Sequence, residues 1–194
     1  RIVTVCRNLL RDMQGYYPEF AHKMSVFYDM LDIPGIRRLG DAYLARYERT
    51  ETPRILTVGR ICEAKALHLV AEAAAILKEK QIDFLWYIVG DGELRTQLES
   101  RIQALHVQDR VVLLGALDNP YPWFKDCNVY VQTSVYEGSC TTITEALIFG
   151  KPVVTTDIDI AYEKIDDGRN GLVCGMSGMD IAEKVERLLL NTKK

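Results

Sequence analysis

The chain has 194 residues, 48% hydrophobic and 26% charged, with 24 basic against 27 acidic side chains and a net charge of −3. That length buries the core of one domain with part of a second, in the proportions of an ordinary soluble protein. No basic stretch dominates, which excludes a chain devoted to nucleic acid, and no apolar run approaches the roughly 20 residues that span a bilayer.

The sequence opens on a strand-like run, Ile2-Val3-Thr4-Val5, with no initiator Met, as expected of a fragment of a longer protein. Pro18, Pro34 and Gly35 then break the chain into pieces. Arg37, Arg38, Arg46 and Arg49 cluster there, diluted by Asp41 and Glu48, and read as a solvated helix face. Thr50–Pro53 marks a boundary, so residues 1–50 are expected to be the end of a preceding domain plus a connector, and 51–194 the main domain.

Beyond Pro53 short apolar runs alternate with amphipathic stretches. Arg54–Val58 is a predicted strand ended by Gly59. Lys65–Lys80 is a predicted helix, with Leu67, Val70, Ala71, Ala74 and Leu77 at helical spacing. Phe84–Val89 is a strand stopped by Gly90-Asp91-Gly92, and Glu93–Leu105 a helix. Val111–Leu114 and Val129–Gln132 are strands, and Thr142–Phe149 is a helix closed by Gly150 as its C′ residue. Pro152–Thr155 and Gly171–Val173 are strands, and Asp180–Leu190 is the last helix. Strands apolar throughout and separated by helices predict a doubly wound α/β domain, Rossmann-like, with a mostly parallel six-stranded sheet. Ligands of such domains sit at the carboxyl ends of the strands, which directs attention to the loops after Val58, Val89, Leu114, Gln132 and Thr155.

The richest of these loops is Tyr136-Glu137-Gly138-Ser139-Cys140-Thr141-Thr142-Ile143-Thr144-Glu145. A strand leads through a turn at Gly138 into a helix N-terminus, whose free N–H groups and dipole suit phosphate. Ser139, Thr141 and Thr142 add hydroxyls. The carboxylates of Glu137 and Glu145 would repel phosphate, so sugar hydroxyls are their natural partners, one for a transferred sugar and the other for a ribose. Thr142-x-x-Glu145 also has the spacing of a capping box, in which Glu145 only caps its own helix. A second candidate is Gly59-Arg60-Ile61-Cys62-Glu63-Ala64-Lys65, where Arg60 and Lys65 bracket a helix start and can neutralise a diphosphate as it leaves.

Other patterns carry less. Gly90-Asp91-Gly92 is a strand-end turn rather than a dinucleotide fingerprint. Asp157 and Asp159 lack a third ligand for a metal, and His22, His68 and His106 have no ligand spacing and read as structural. Cys6, Cys62, Cys127, Cys140 and Cys174 are scattered without metal or disulfide spacing, as expected in a reducing, cytoplasmic compartment.

Taken in order, Ile55–Arg60, Tyr87–Gly92, Val111–Gly115, Tyr136-Glu137-Gly138 through Glu145-Ala146-Leu147, Gly150–Val154 and Asp167–Val173 closely resemble a known domain over roughly Pro53 to Leu190. It is the C-terminal domain of the retaining glycosyltransferases of GT-B fold, group 1 (family four). The resemblance implies a hexosyltransferase acting from a nucleotide diphosphate-sugar onto a sugar or lipid-linked acceptor. Glu137 is then expected to bind hydroxyls of the donor sugar and Glu145 the ribose. Gly59, Arg60 and Lys65 would hold the diphosphate with Gly138, Ser139, Cys140, Thr141 and Thr142, and backbone near Leu117 would meet the base. The catalytic assignment falls on Arg60, Lys65 and Glu137. No divalent metal or other cofactor is expected. The acceptor site, and any peripheral attachment to the inner face of the membrane, would belong to the preceding domain, leaving this chain inactive alone. An epimerase or phosphorylase of the same architecture, or a non-catalytic nucleotide-sugar-binding module, are the alternatives. Three departures stand out: Ala66 follows the lysine where the family commonly has Gly, Gly138-Ser139-Cys140 replaces its usual Gly-Phe-Gly, and Glu63-Ala64-Lys65 lacks the commoner Glu-Lys order.

Overall fold

In the computed structural model the described residues are 1–43, 45 and 51–191. Arg46, Glu48 and Arg49 of the basic cluster, and Thr50 at the expected boundary, lie outside them. The chain opens with β1 (Ile2–Thr4), α1 (Arg7–Tyr16), β2 (Met24–Val26) and α2 (Ile33–Gly40). The first two strands pair in parallel as a separate two-stranded sheet. Pro34 stands at the start of α2 rather than breaking it, since the first helical N–H has no intrahelical partner to lose. Asp32 caps this helix through the Gly35 N–H at 3.0 Å. Arg37 and Arg38 are exposed in its last turn, where their charge suits the helix dipole. The start of α1 takes a distant anchor: Glu163 accepts the N–H groups of Arg7 at 3.2 Å and Asn8 at 3.0 Å.

The remaining elements are β3 (Arg54–Val58), α3 (His68–Glu79), β4 (Leu85–Val89), α4 (Arg95–Ala104), β5 (Val111–Gly115), α5 (Tyr121–Asp126), β6 (Val129–Gln132), α6 (Thr141–Ile148), β7 (Val153–Thr156), α7 (Ala161–Lys164), β8 (Gly171–Cys174) and α8 (Gly178–Asn191). All six strands from β3 onward pair in parallel in the order β5-β4-β3-β6-β7-β8. The order runs outward from β3 to β5, then returns to β6 beside β3 and runs outward the other way. The switch point therefore lies between β3 and β6, and the loops leaving these two strands diverge around a crevice.

Two buried clusters cover the sheet. Leu77, Phe84, Trp86, Ile88, Val129, Val131 and Ile181 form one with α3 and α8. Leu56, Tyr130, Phe124, Ile143, Val153 and Ala161 form the other with α5, α6 and α7. Complete burial of a side chain such as Leu77 or Ile143 contributes about 1.5–3 kcal/mol. Two buried polar side chains of neighbouring strands bond within the sheet: Trp86 Nε1 donates to Thr57 Oγ1 at 3.0 Å, and that hydroxyl donates to Val131 O at 2.9 Å.

The predicted strands and long helices are present, with ends shifted by at most three residues. The helix expected from Lys65 is the main correction. Glu63–Lys65 make a separate 3₁₀ turn, Ala66 takes a left-handed conformation at φ 45°, and α3 starts only at His68. Lys65 therefore precedes the helix instead of standing within its first turn. The short β2, α5 and α7 carry too few residues to show a period. Gly150 has φ 66° and donates to Leu147 O, as expected of a C′ glycine.

Candidate functional site

The site forms where the loops after β3 and β6 leave the sheet. The β3 loop is braced from the side by the β4 loop: Gly59 N–H donates to Val89 O, and Ile61 N–H to Asp91 O. Gly90, at φ 143°, is required there, because a Cβ at this position would stand 1.9 Å from Gly59 O. Gly92 likewise lies against Ile61, where a Cβ would meet the carbonyl oxygen at 2.4 Å. Gly90-Asp91-Gly92 is thus more than a strand-end turn, since it permits two loops to touch. On the other side, Val135 N–H donates to Ala64 O at 2.8 Å and Thr133 Oγ1 to Lys65 O at 2.6 Å, tying the β3 loop to the β6 loop.

Lys65 and Glu137 meet across this joint. Lys65 Nζ and Glu137 Oε1 form an ion pair, with side chains only 19% and 13% exposed. The same oxygen accepts Gln132 Nε2 at 2.9 Å and Ser134 Oγ at 2.6 Å. Gln132 Oε1 in turn accepts Tyr130 OH at 2.6 Å and Thr142 Oγ1 at 3.2 Å. A buried polar network therefore runs from the β3 loop through the end of β6 to the first turn of α6. Gly59 admits it closely, a Cβ there lying 3.3 Å from Lys65 Cε. Arg60 projects exposed from the same loop, and Leu117 is half-buried against the second core cluster.

The capping box that the Thr142–Glu145 spacing allows is not made. The N-cap is Cys140, in a left-handed conformation at φ 50°, with no side-chain cap. Thr142 therefore lies inside the helix and bonds Gln132, while Glu145 bonds Tyr121 OH at 3.1 Å. Two of the departures from the family pattern, Ala66 and Cys140, occupy left-handed backbone that a glycine adopts without strain. Burial pushes the Cys140 thiol up to about 11, which keeps it neutral. Ser139 Oγ bonds the Asp29 carboxylate, and Gly138 is exposed with open space at its Cα.

Burial raises the Glu145 carboxyl above its ordinary range, opposed by the Tyr121 hydrogen bond and the charge of Lys164. Burial also raises Tyr121, reinforced by the Glu145 charge, and lowers Lys164, whose Nζ donates to Thr144 Oγ1 at 2.6 Å. Glu137 and Gly138 open onto a cleft of about 400 Å³ between the site and α1, lined also by Asn8, Asp12, Asp157 and Asp159. Asp157 accepts Tyr162 OH at 2.7 Å. Among the described residues no group of three or more His, Cys, Asp or Glu is arranged to hold a metal ion.

The structure thus joins Gly59, Lys65, Glu137 and Thr142 directly or through Gln132, and places Arg60, Ser139 and Cys140 on the loops around them, with Thr141 opening α6. Glu145 stands in a separate hydrogen bond. Gln132, Ser134, Tyr121 and Lys164 join the site without having been expected. For the first two a signal existed: Gln132-Thr133-Ser134 puts three polar residues at the end of an apolar strand, and all three are buried. Tyr121 and Lys164 meet the site only through tertiary packing.

A doubly wound sheet with a cation, carboxylates and a helix N-terminus at its switch point defines a domain suited to ligands bearing both anionic groups and hydroxyls. Residues 45–194 match the family described as glycosyl transferases group 1, and the chain belongs to it. It is 33% identical over 147 residues to alpha-D-kanosaminyltransferase of Streptomyces kanamyceticus, covering 74% of this chain and 38% of that relative. The fold matches GT-B glycosyltransferase structures. A mutant of S. aureus TarM in complex with fondaparinux, alpha-GlcNAc-glycerol and UDP superposes with a TM-score of 0.83 at 22% identity, covering 97% of this chain and 36% of that one. Anabaena HepE in complex with UDP and glucose gives 0.78 at 20% identity, covering 98% and 54%. The chain spans less than half the length of the curated relatives it matches.

Proposed function

We propose that this chain is the C-terminal, donor-binding part of a retaining hexosyltransferase, which moves a hexose from a nucleotide diphosphate-sugar to a sugar or lipid-linked acceptor. The observation that carries this reading is the Lys65–Glu137 pair at the switch point between β3 and β6. A free donor would replace both partners at once: its diphosphate takes Lys65, and hydroxyls of its hexose take Glu137. Arg60, exposed on the same loop, adds a second cation as negative charge builds on the leaving diphosphate. Ser139, Thr141 and Thr142 offer hydroxyls beside the α6 N-terminus, Glu145 takes the ribose, and backbone near Leu117 takes the base. The reading uses no divalent metal, because side-chain cations and backbone N–H groups meet the phosphate charge. The UDP and sugar bound by TarM and HepE support this class of ligand.

Residues 1–50 are read as the end of the preceding domain and the hinge, and 51–194 as the donor domain. The separate β1–β2 sheet and the start of the six-stranded sheet at β3 support that division. Acceptor binding and any attachment to the inner face of the membrane then fall to the preceding domain, with the chemistry on the cytoplasmic side.

Calorimetry against UDP-, GDP- and ADP-glucose tests the reading. One of them binds at millimolar concentration or tighter, and the isolated chain shows negligible transfer to any acceptor. Absence of binding to all three overturns the donor-site reading, and turnover by this chain alone overturns the division of labour.

A further inference from the structure

Tyr121 opens α5 and Glu145 sits one turn into α6. Both helices follow the carboxyl ends of strands, and α6 leaves β6, which borders the crevice. The Tyr121 hydroxyl donates to Glu145 Oε1 at 3.1 Å across 24 positions of sequence. Its ring is held with centroids 6.3 Å from both Phe124 and Phe149. Its backbone N–H donates to Asn119 Oδ1 at 3.2 Å, and Asn119 Nδ2 is fixed in turn on Leu39 O at 2.9 Å. Four positions earlier lies Leu117, the expected neighbour of the base. Tyr121 thus bonds the residue assigned to the ribose while clamped by aromatic packing and by its own backbone.

We infer that Tyr121 is a positioning residue for the donor's ribose: its hydroxyl occupies one oxygen of Glu145 and leaves the other to accept a ribose hydroxyl. The inference rests on the reading of Glu145 proposed above. A carboxylate in free rotation would lose side-chain entropy on meeting the ligand, and the phenol removes that loss beforehand. A second effect runs the same way. Burial favours the protonated form of Glu145, while the Tyr121 hydrogen bond and Lys164 favour the ionised form, the stronger acceptor. The buried Tyr130 of β6 also feels the charge of this carboxylate.

The test is calorimetry on the whole chain. UDP, GDP and ADP are compared first, and the tightest binder is then set against its 2′-deoxy and 3′-deoxy forms in wild type, Tyr121→Phe and Glu145→Ala. Wild type prefers the ribonucleotide over at least one deoxy form by about tenfold, the scale of one hydrogen bond to a charged group. Glu145→Ala abolishes the preference. Tyr121→Phe cuts it to about threefold or less, while affinity for the deoxy form stays within about a factor of two. A preference kept in Tyr121→Phe but lost in Glu145→Ala overturns the inference and leaves the reading of Glu145 standing. Equal weakening of both nucleotides by Tyr121→Phe also overturns it, since that is the mark of a packing role. No discrimination by wild type, discrimination kept in Glu145→Ala, or no binding of any of the three overturns the reading of Glu145 and the inference together.

Discussion

Replacing Glu137 by Gln removes the negative charge from the joint between the β3 and β6 loops while keeping its shape. Glu137 Oε1 there collects the Lys65 ammonium, Gln132 Nε2 at 2.9 Å and Ser134 Oγ at 2.6 Å. An exposed ion pair contributes less than about 1 kcal/mol, and breaking a fully buried one costs about 3–5 kcal/mol. With side chains 19% and 13% exposed, this pair lies nearer the buried limit. Water still reaches the ammonium, and the Gln carbonyl can still accept, so the expected loss is about 2 kcal/mol. For a chain of this length that lowers Tm by about 4–8 °C. Urea unfolding followed by circular dichroism measures it, with an unchanged m-value confirming that the denatured state is the same. Lys65→Met removes the stranded cation, so the double variant Lys65→Met/Glu137→Gln loses about 1–2 kcal/mol less than the sum of the singles. If Glu137→Gln falls within about 0.5 kcal/mol of wild type and the double variant is additive, the pair does not hold the two loops together.

Two further outcomes follow from the same geometry. Because burial raises the Glu145 carboxyl above its ordinary 4.5, the native state holds that proton to higher pH than the unfolded chain. Stability is therefore lost as pH rises from the ordinary value through the raised one. Thermal melts should show Glu145→Gln gaining on wild type as pH rises above the ordinary carboxyl value, and a flat or narrowing difference contradicts the assignment. Gly90→Ala forces a Cβ to 1.9 Å from Gly59 O at a φ of 143°. It should lower stability by more than about 3 kcal/mol in urea titration and weaken nucleotide binding by displacing the β3 loop. Near-wild-type stability would show that the two loops have room to part.

Much of the domain is written in local pattern. The apolar strands Ile55–Val58, Leu85–Val89 and Val129–Gln132, each followed by a turn and an amphipathic stretch, specify a parallel sheet covered on both faces. That class in turn directs a search to the carboxyl ends of the strands, where Arg60, Lys65, Glu137 and Glu145 stand. Short elements were hidden because α7 has four residues and β2 three, too few to display a period. Helix starts were displaced for a different reason. Ala66 and Cys140 carry no turn signal of their own, yet both sit in left-handed backbone immediately before a helix or its first turn.

The Tyr136–Glu145 segment shows where the division falls. Residue types and spacing placed a strand, a turn and a hydroxyl-rich helix start there, and left Glu145 equally suited to capping its own helix or to facing a ligand. Tertiary structure removed the capping alternative. Cys140 took the cap position, Thr142 turned to Gln132, and Tyr121 arrived from another helix to hold the carboxylate. It also paired Lys65 with Glu137 across 72 positions of sequence, which the strand order alone makes adjacent. Sequence determines what each segment can form because backbone and side-chain preferences are local. Which charges meet depends on the switch point between β3 and β6, and that exists only once the sheet is assembled.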